Sequence, residues 1–255
     1  MNEFFNAAGN LLVNGFVATY FNTEIPMLII CYLITALIGY ALGSLNFAVI
    51  ISHVKYKDDI RKYGSGNAGM TNILRTYGKG DAALTFLGDA LKTAISILLG
   101  MLLVGAAHGG NYIAGFFAML GHIYPCYFGF KGGKGVVTAA TTILLLDARI
   151  FLILVTLFVI IVAIWRYISL GSIVCAMLYP MLVYASNSVV YSKTGISNPM
   201  SVIFALIIAL LVIVLHRQNI ERLVKGKESK ISLKGKKEKS QKFSVKSDES
   251  KDTNK

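Results

Sequence analysis

The chain is short of charge. Of its 255 residues only 15% are Asp, Glu, Lys or Arg, against 55% hydrophobic ones. A water-soluble globule carries about 25% charged side chains because its surface must be hydrated. The shortage excludes that class and puts lipid against most of the outer surface, as the mean hydropathy of +0.62 also indicates. Cysteine is scarce as well. Cys31, Cys126 and Cys175 are far apart in apolar stretches and form no C-x-x-C pair, so neither a zinc site nor a disulfide framework is supported. The first 25 residues lack a basic leader region and a small-residue cleavage site, which argues against a signal peptide and for an interfacial helix.

What is present in surplus is positive charge, +12 in total. Residues 1–216 carry about +5 of it and residues 217–255 about +7, so more than half sits in a polar tail. A spanning helix needs about 20 mostly apolar residues. The apolar runs predict helices near 26–52, 82–106, 112–128, 136–147, 149–165, 168–190 and 199–216, giving an all-α polytopic membrane bundle of about seven transmembrane helices. The stretch from 112 to 165 is broken by Gly, Pro, Asp147 and Arg149, a pattern suited to segments that stop part-way and line a site.

Basic residues collect in alternate connections: Lys55, Lys57, Arg61, Lys62, Arg75 and Lys79, then Lys131 and Lys134, then Arg166, then the tail. The positive-inside rule places those connections in the cytoplasm and the N-terminus outside. All the polar, glycine-rich segments then share one membrane face. That distribution suits an enzyme acting on a membrane-dissolved substrate better than a transporter, which needs polar groups at the midplane.

Two segments carry the chemistry. Residues 64–72, GSGNAGMTN, place Ser65, Gly66, Asn67, Thr71 and Asn72 between Arg61 and Arg75. Glycines let backbone N–H groups approach a ligand, and guanidinium groups match phosphate oxygens in a fork. A polar cytoplasmic turn is the bland alternative. Residues 130–136, FKGGKGV, set Lys131, Gly132, Gly133, Lys134 and Gly135 directly ahead of a helix, where free N–H groups and the helix dipole favour an anion. This is not a Walker A loop: Phe128 stands where its first Gly belongs and Gly135 where Ser or Thr would hold magnesium. The bland reading here is an inside loop obeying the positive-inside rule.

Ser44 is a small polar residue within the first long helix, ordinarily a packing position. Asp89 and Lys92 are three apart on the second and share a helix face. His53 and Asp58 literally spell H-x-x-x-x-D, and His216 with Glu221 nearly repeats it; with nothing downstream to support an acyltransferase of that type, the match is discounted. His122 lies close to the lysine loop, where a site role and a satisfied helix-interior histidine are comparable readings.

Together these segments resemble the PlsY family, the bacterial acyl-phosphate:glycerol-3-phosphate acyltransferases. The resemblance rests on GSLNFAVI from Gly43, DIRKYGSGNAGMTNILRTYGKG from Asp59, DALK from Asp89, GHIYPCYFGFKGGKGVVTA from Gly121, RYISLGS from Arg166 and HRQNIERLVKGKESKI from His216. It covers about residues 28–231. Departures are Asn46 for the usual proline, Met70 for alanine and Thr93 for glycine; none removes a charged or hydroxyl group.

The resemblance implies transfer of a fatty acyl group from acyl phosphate to the sn-1 hydroxyl of glycerol 3-phosphate, giving lysophosphatidic acid and phosphate for phospholipid synthesis. It implies Ser44, Arg61, His216 and Asn219 as catalytic residues, with Glu228 following, and the GGKG loop, Lys131, Gly132, Gly133, Lys134 and Gly135, as phosphate-binding. The reading of the residues themselves adds Lys92 to the catalytic set and Ser65, Gly66, Asn67, Thr71, Asn72 and His122 to the phosphate-binding one. No cofactor, metal, nucleic acid or obligate protein partner is expected; the partners are the two substrates and membrane lipids. The expected setting is the bacterial cell membrane, with the active site facing the cytoplasm. The domain layout is an interfacial segment over 1–25, a membrane acyltransferase domain over 26–231 and a disordered basic tail over 232–255. An organic-phosphate transporter and a scaffold with a lipid-binding tail are the competing readings.

Overall fold

The computed structural model describes residues 2–20, 25–195 and 198–231. The tail expected over 232–255 lies outside the described residues. Those described form helices and connections with no strand among them. Helix α1 (Asn2–Tyr20) is kinked at Gly15. It is followed by α2 (Ile25–Gly43), α3 (Phe47–Tyr56), the short α4 (Met70–Thr76), α5 (Lys79–Leu103), α6 (Gly110–Ile123), α7 (Val136–Leu146), α8 (Ala148–Trp165), α9 (Ile168–Thr194), α10 (Pro199–Leu215) and α11 (Arg217–Val224).

Each of the seven segments read from apolar runs contains a helix, but their lengths differ in consequence. Among the described residues, four spans are long and apolar enough to cross a membrane: Ile25–Tyr56 taken together, Lys79–Leu103, Ala148–Trp165 and Ile168–Thr194. Counting α10 and α11 as one broken span, bent by 57°, makes five. Helices α6 and α7 have 14 and 11 residues. At 1.5 Å per residue they reach only about 21 and about 17 Å, short of a hydrocarbon core about 30 Å thick. The expected seven would need both of these to cross as well.

The surface is what the composition demands. Leu33, Leu37, Leu91, Leu152, Ile164 and Leu210 are all more than half exposed, which no water-facing surface tolerates in such number. Against lipid there is no hydrophobic drive between helices, so association depends on close backbone approach. The pair α2 and α6 meets this way. A Cβ on Gly43 would lie 2.2 Å from the Ala118 carbonyl oxygen, and one on Gly121 would lie 2.3 Å from that of Tyr40.

The first long span is interrupted at residues 44–46. There Asn46 caps α3, its side chain accepting from the Val49 N–H at 3.1 Å. Its amide also donates to the Ala68 carbonyl at 3.1 Å, so the break is tied to the GSGN loop. The kinked α1 is held to the α5–α6 connection by Ala106 N–H to Leu12 at 3.0 Å and Ala107 N–H to Val13 at 2.8 Å.

Candidate active site

The polar side chains fall into three joined groups. The first is buried. Lys92 Nζ reaches the Leu45 carbonyl at 2.7 Å, Asp89 Oδ1 at 2.7 Å and His122 Nδ1 at 3.1 Å. Asp89, Lys92 and His122 are 1%, 3% and 4% exposed, so the ion pair and the imidazole face one another inside the protein. His122 Nδ1 faces both the ammonium and, at 3.5 Å, Asp89 Oδ1. Lys92 therefore ties α5 to the break after Ser44 and to the end of α6. Ser44 is fully buried at that break. Its hydroxyl donates to the Tyr40 carbonyl at 2.8 Å and lies 3.4 Å from the Cys126 N–H.

The second group joins the two glycine-rich loops. Arg61 binds the Asp59 carboxylate through Nε and Nη2, the latter at 2.8 Å from Oδ2. Its Nη1 donates to the Phe128 carbonyl at 2.6 Å and the Lys131 carbonyl at 3.0 Å. Of five N–H groups, one on Nη2 stays uncommitted. Asn72, 1% exposed, accepts from the Ser65 N–H at 3.0 Å and donates to the Ile60 and Tyr63 carbonyls at 3.2 and 2.9 Å. It shapes the GSGN loop from within. Ser65 and Gly66 are exposed, and Asn67 and Thr71 half-buried. The Ser65 and Thr71 hydroxyls have no hydrogen-bond partner among the described residues.

The lysine loop follows a comparable division of labour. Gly132 and Gly133 donate their N–H groups to the Ile123 and His122 carbonyls at 3.0 and 3.1 Å, finishing the end of α6. A Cβ on Gly133 would lie 2.1 Å from His122 Nε2 and 2.7 Å from the Ala68 oxygen; only glycine fits between these loops. Gly135 is in the left-handed region, φ 73°, and starts α7. Lys131 is exposed, while Lys134 turns inward.

Lys134 leads to the third group. Its ammonium donates to Asn219 Oδ1, and Asn219 Nδ2 donates to Glu228 Oε1 at 2.7 Å. Glu228 also accepts from Ser169 Oγ at 2.9 Å and Arg222 Nε at 2.7 Å. Arg75 is anchored alongside through the Ser229 carbonyl at 3.3 Å. Burial pushes the Lys134 ammonium down to about 8, and repulsion from Arg222 and Arg75 adds to this while Glu228 opposes it. For Glu228, burial pushes the carboxyl upward, but the bonds from Arg222, Asn219 and Ser169 outweigh it and hold the group below its usual range. Three cations thus surround one carboxylate, leaving the cluster net positive. At the α10–α11 bend, His216 is buried and its Nδ1 lies 2.7 Å from the Val212 carbonyl. A carbonyl can only accept, so Nδ1 carries the proton and Nε2 keeps a free lone pair.

Residues separated by up to 154 positions are brought together here. Arg222 and Ser169 were not singled out in the sequence. Arg222 is three residues beyond Asn219 and shares its helix face, which was a usable signal. Ser169 carried none of its own.

The chain matches the family model for glycerol-3-phosphate acyltransferase over residues 33–226. It is 41% identical over 216 residues to a glycerol-3-phosphate acyltransferase of Syntrophomonas wolfei, covering 82% of this chain and 97% of that one. Two crystal structures of PlsY (YgiH), an integral membrane glycerol 3-phosphate acyltransferase, share its fold. The glycerol 3-phosphate form superposes with a TM-score of 0.68 at 32% identity, covering 79% of this chain and 96% of that one. The lysophosphatidic acid form gives 0.65 at 31%, covering 79% and 95%. The resemblance drawn from the loop motifs and these matches agree.

Proposed function

The chain belongs to the glycerol-3-phosphate acyltransferase family, PlsY type, multi-pass membrane enzymes of phospholipid synthesis, and from that premise we propose that its acyl donor is an acyl phosphate and its acceptor the sn-1 hydroxyl of glycerol 3-phosphate. The observation carrying this reading is the surplus of positive charge around Glu228, beside a histidine with a free Nε2. Two phosphate-bearing substrates repel each other, and a pocket with spare cations offsets that repulsion. Acyl phosphate is already an activated mixed anhydride, so positioning and electrostatic stabilisation suffice and no covalent enzyme intermediate is required.

In the proposed step the sn-1 oxygen attacks the acyl carbonyl carbon and forms the new C–O ester bond. The C–O bond to phosphate breaks, and inorganic phosphate leaves with the electron pair. The hydroxyl proton passes to His216 Nε2 or to an oxygen of a substrate phosphate. Lys134, with Arg222 and Arg75, holds the glycerol 3-phosphate phosphate, and Asn219 and Glu228 keep the ammonium aimed. The GSGN hydroxyls and the uncommitted Arg61 N–H face the donor phosphate. Lys92, His122 and Asn72 act as positioning residues, and Ser44 holds the break at which the reacting groups meet.

We place the enzyme in the bacterial cell membrane with seven membrane segments, its N-terminus outside and both polar loops facing the cytoplasm. The acyl chain lies between helices and opens to lipid. The test is purified protein with acyl phosphate and glycerol 3-phosphate, measuring lysophosphatidic acid and released phosphate. Formation of the 1-acyl product is expected; activity with acyl-CoA in place of acyl phosphate, or a 2-acyl product, would refute the reading. His216→Ala is expected to lower kcat by roughly 100-fold or more if the histidine takes the proton. A kcat near wild type would pass that role to the substrate phosphate.

A further inference from the structure

Two helices independently fix the depth of the connection between α6 and α7. Along α2, Leu33 and Leu37 face lipid, and Tyr40 follows Leu37 by three residues on the same helix face. The Tyr40 hydroxyl donates to the Tyr124 carbonyl at 2.7 Å, and the Cys126 N–H lies 3.4 Å from Ser44 Oγ. Tyr40 and Ser44 are 15 and 19 residues past Ile25, where α2 begins. At 1.5 Å per residue that is about 22 to 28 Å, within a hydrocarbon core about 30 Å thick.

Helix α5 gives the same level. Lys92 Nζ meets the Leu45 carbonyl, next to Ser44, at 2.7 Å. Leu84, Leu87 and Leu91, all more than half exposed, lie between Lys92 and the start of the helix at Lys79. Leu84 is eight residues from Lys92, about 12 Å nearer that end. Lipid-facing leucines therefore continue past the level of Ser44, and the connection starts inside the bilayer rather than above it.

At that level the connection turns aromatic rings outward. Tyr124, Tyr127 and Phe130 are 49%, 56% and 60% exposed. Phe130 holds a left-handed backbone, φ 58°, which a residue with a Cβ rarely adopts. Arg61 grips both sides of it through the Phe128 and Lys131 carbonyls, at 2.6 and 3.0 Å. Four residues on, Lys134 turns inward to Asn219. The connection thus has a lipid side, ending at Arg61, and a polar side, ending at the Glu228 cluster.

We propose that Tyr124, Tyr127 and Phe130 form a portal at the lipid boundary through which the long-chain donor enters sideways from the membrane, its chain against the rings and its phosphate at Arg61. This rests on the acyl-phosphate reading. The surface continues the lipid-facing stripe of α2, and tyrosine and other aromatic rings favour that boundary. Glycerol 3-phosphate reaches Lys134 from the opposite side of the same connection.

Trp165 is the sole tryptophan, so Tyr127→Trp and Phe130→Trp, each combined with Trp165→Phe, report the immersion of the full-length protein in vesicles. Phospholipid brominated near the top of its acyl chains is expected to quench each new tryptophan roughly twofold or more, as for a ring in the interfacial belt, while aqueous iodide leaves it bright. In the acyl-transfer assay, Tyr127→Ser combined with Phe130→Ser is expected to raise the KM for palmitoyl phosphate roughly tenfold, the value of about one buried apolar side chain. The KM for glycerol 3-phosphate and kcat stay unchanged. Tyr127→Ser alone carries the test if the double variant does not fold. Tryptophans quenched by iodide and not by brominated lipid, an unchanged KM for palmitoyl phosphate, or an equal rise in both KM values overturns the proposal. Quenching needs no donor, so failure of the portal is distinct from failure of the acyl-phosphate reading, which shows as no turnover of palmitoyl phosphate by the wild-type protein.

Discussion

The protein has two ionic clusters built on buried carboxylates near its glycine-rich loops, and they differ in how their charges balance. Around Lys92 one ammonium is matched by one carboxylate at 2.7 Å, with the Leu45 carbonyl and the His122 imidazole also in reach. Around Glu228 one carboxylate faces Arg222, Lys134 and Arg75. The first cluster is closed: its three titratable groups are buried and its ammonium and carboxylate balance. The second is open, with cations in excess. A closed network holds backbone segments in place, whereas an open one is a site waiting for an anion.

The sharpest way to break this contrast is to remove one charge from the closed cluster. Asp89→Asn leaves Lys92 buried without its counterion, and unfolding in detergent is expected to show a loss of about 3–5 kcal/mol. Replacing both partners, Asp89→Leu with Lys92→Met, is expected to restore most of that stability while activity stays low, because the tie to Leu45 and His122 is gone. Wild-type stability in Asp89→Asn would mean that the cluster is not the tie described here.

The open cluster should respond in function before it responds in stability. Lys134→Ala is expected to raise the KM for glycerol 3-phosphate by roughly 10- to 100-fold, the value of a charge-assisted hydrogen bond, with little change in melting temperature. An unchanged KM would remove Lys134 from the acceptor site.

The depressed Lys134 pKa adds a pH signature. As pH rises through about 8 the ammonium loses its proton, so KM should be flat below that value and climb above it. Lys134→Arg keeps its charge and is expected to abolish the climb. Folding stability should move the other way: the unfolded lysine still holds its proton up to its ordinary pKa, so between about 8 and that value stability rises with pH. Opposite trends in one pH window distinguish substrate binding from unfolding.

The smallest effect is expected at the break between α2 and α3. Asn46→Ala removes the cap of α3 and should cost about 1 kcal/mol, read by denaturant unfolding. A neutral outcome would leave the Ala68 tie without energetic weight.

Much of this was legible from residue patterns. The apolar runs located the long helices, because a lipid-facing span needs a continuous run whatever it packs against. The glycine and lysine spacing marked both loops as candidate phosphate-binding segments. The division of roles within those loops was not legible. Arg61 resembles a phosphate fork in sequence, yet its Nη1 joins its loop to the Phe128 and Lys131 carbonyls while Nε and Nη2 pair with Asp59 in its own loop. Gly132 and Gly133 read as anion-binding amides, yet they complete the end of α6. Such allocations depend on which carbonyls arrive nearby, and local spacing carries no record of that.

By itself the sequence determined that this protein lives in lipid, that its polar segments fall in alternate connections, and which family it joins. These follow from composition and short motifs, which act locally. Tertiary structure alone decided which cations remain unpaired. Glu228 follows His216 and Asn219 in the motif, but nothing in the sequence names its partners until the Ile231 N–H bonds the Arg166 carbonyl at 2.8 Å and the chain folds back over the bundle. That return buries the carboxylate between Ser169, Asn219 and Arg222. Charge balance in a low-dielectric site depends on distance through space rather than along the chain, so only the fold could set it.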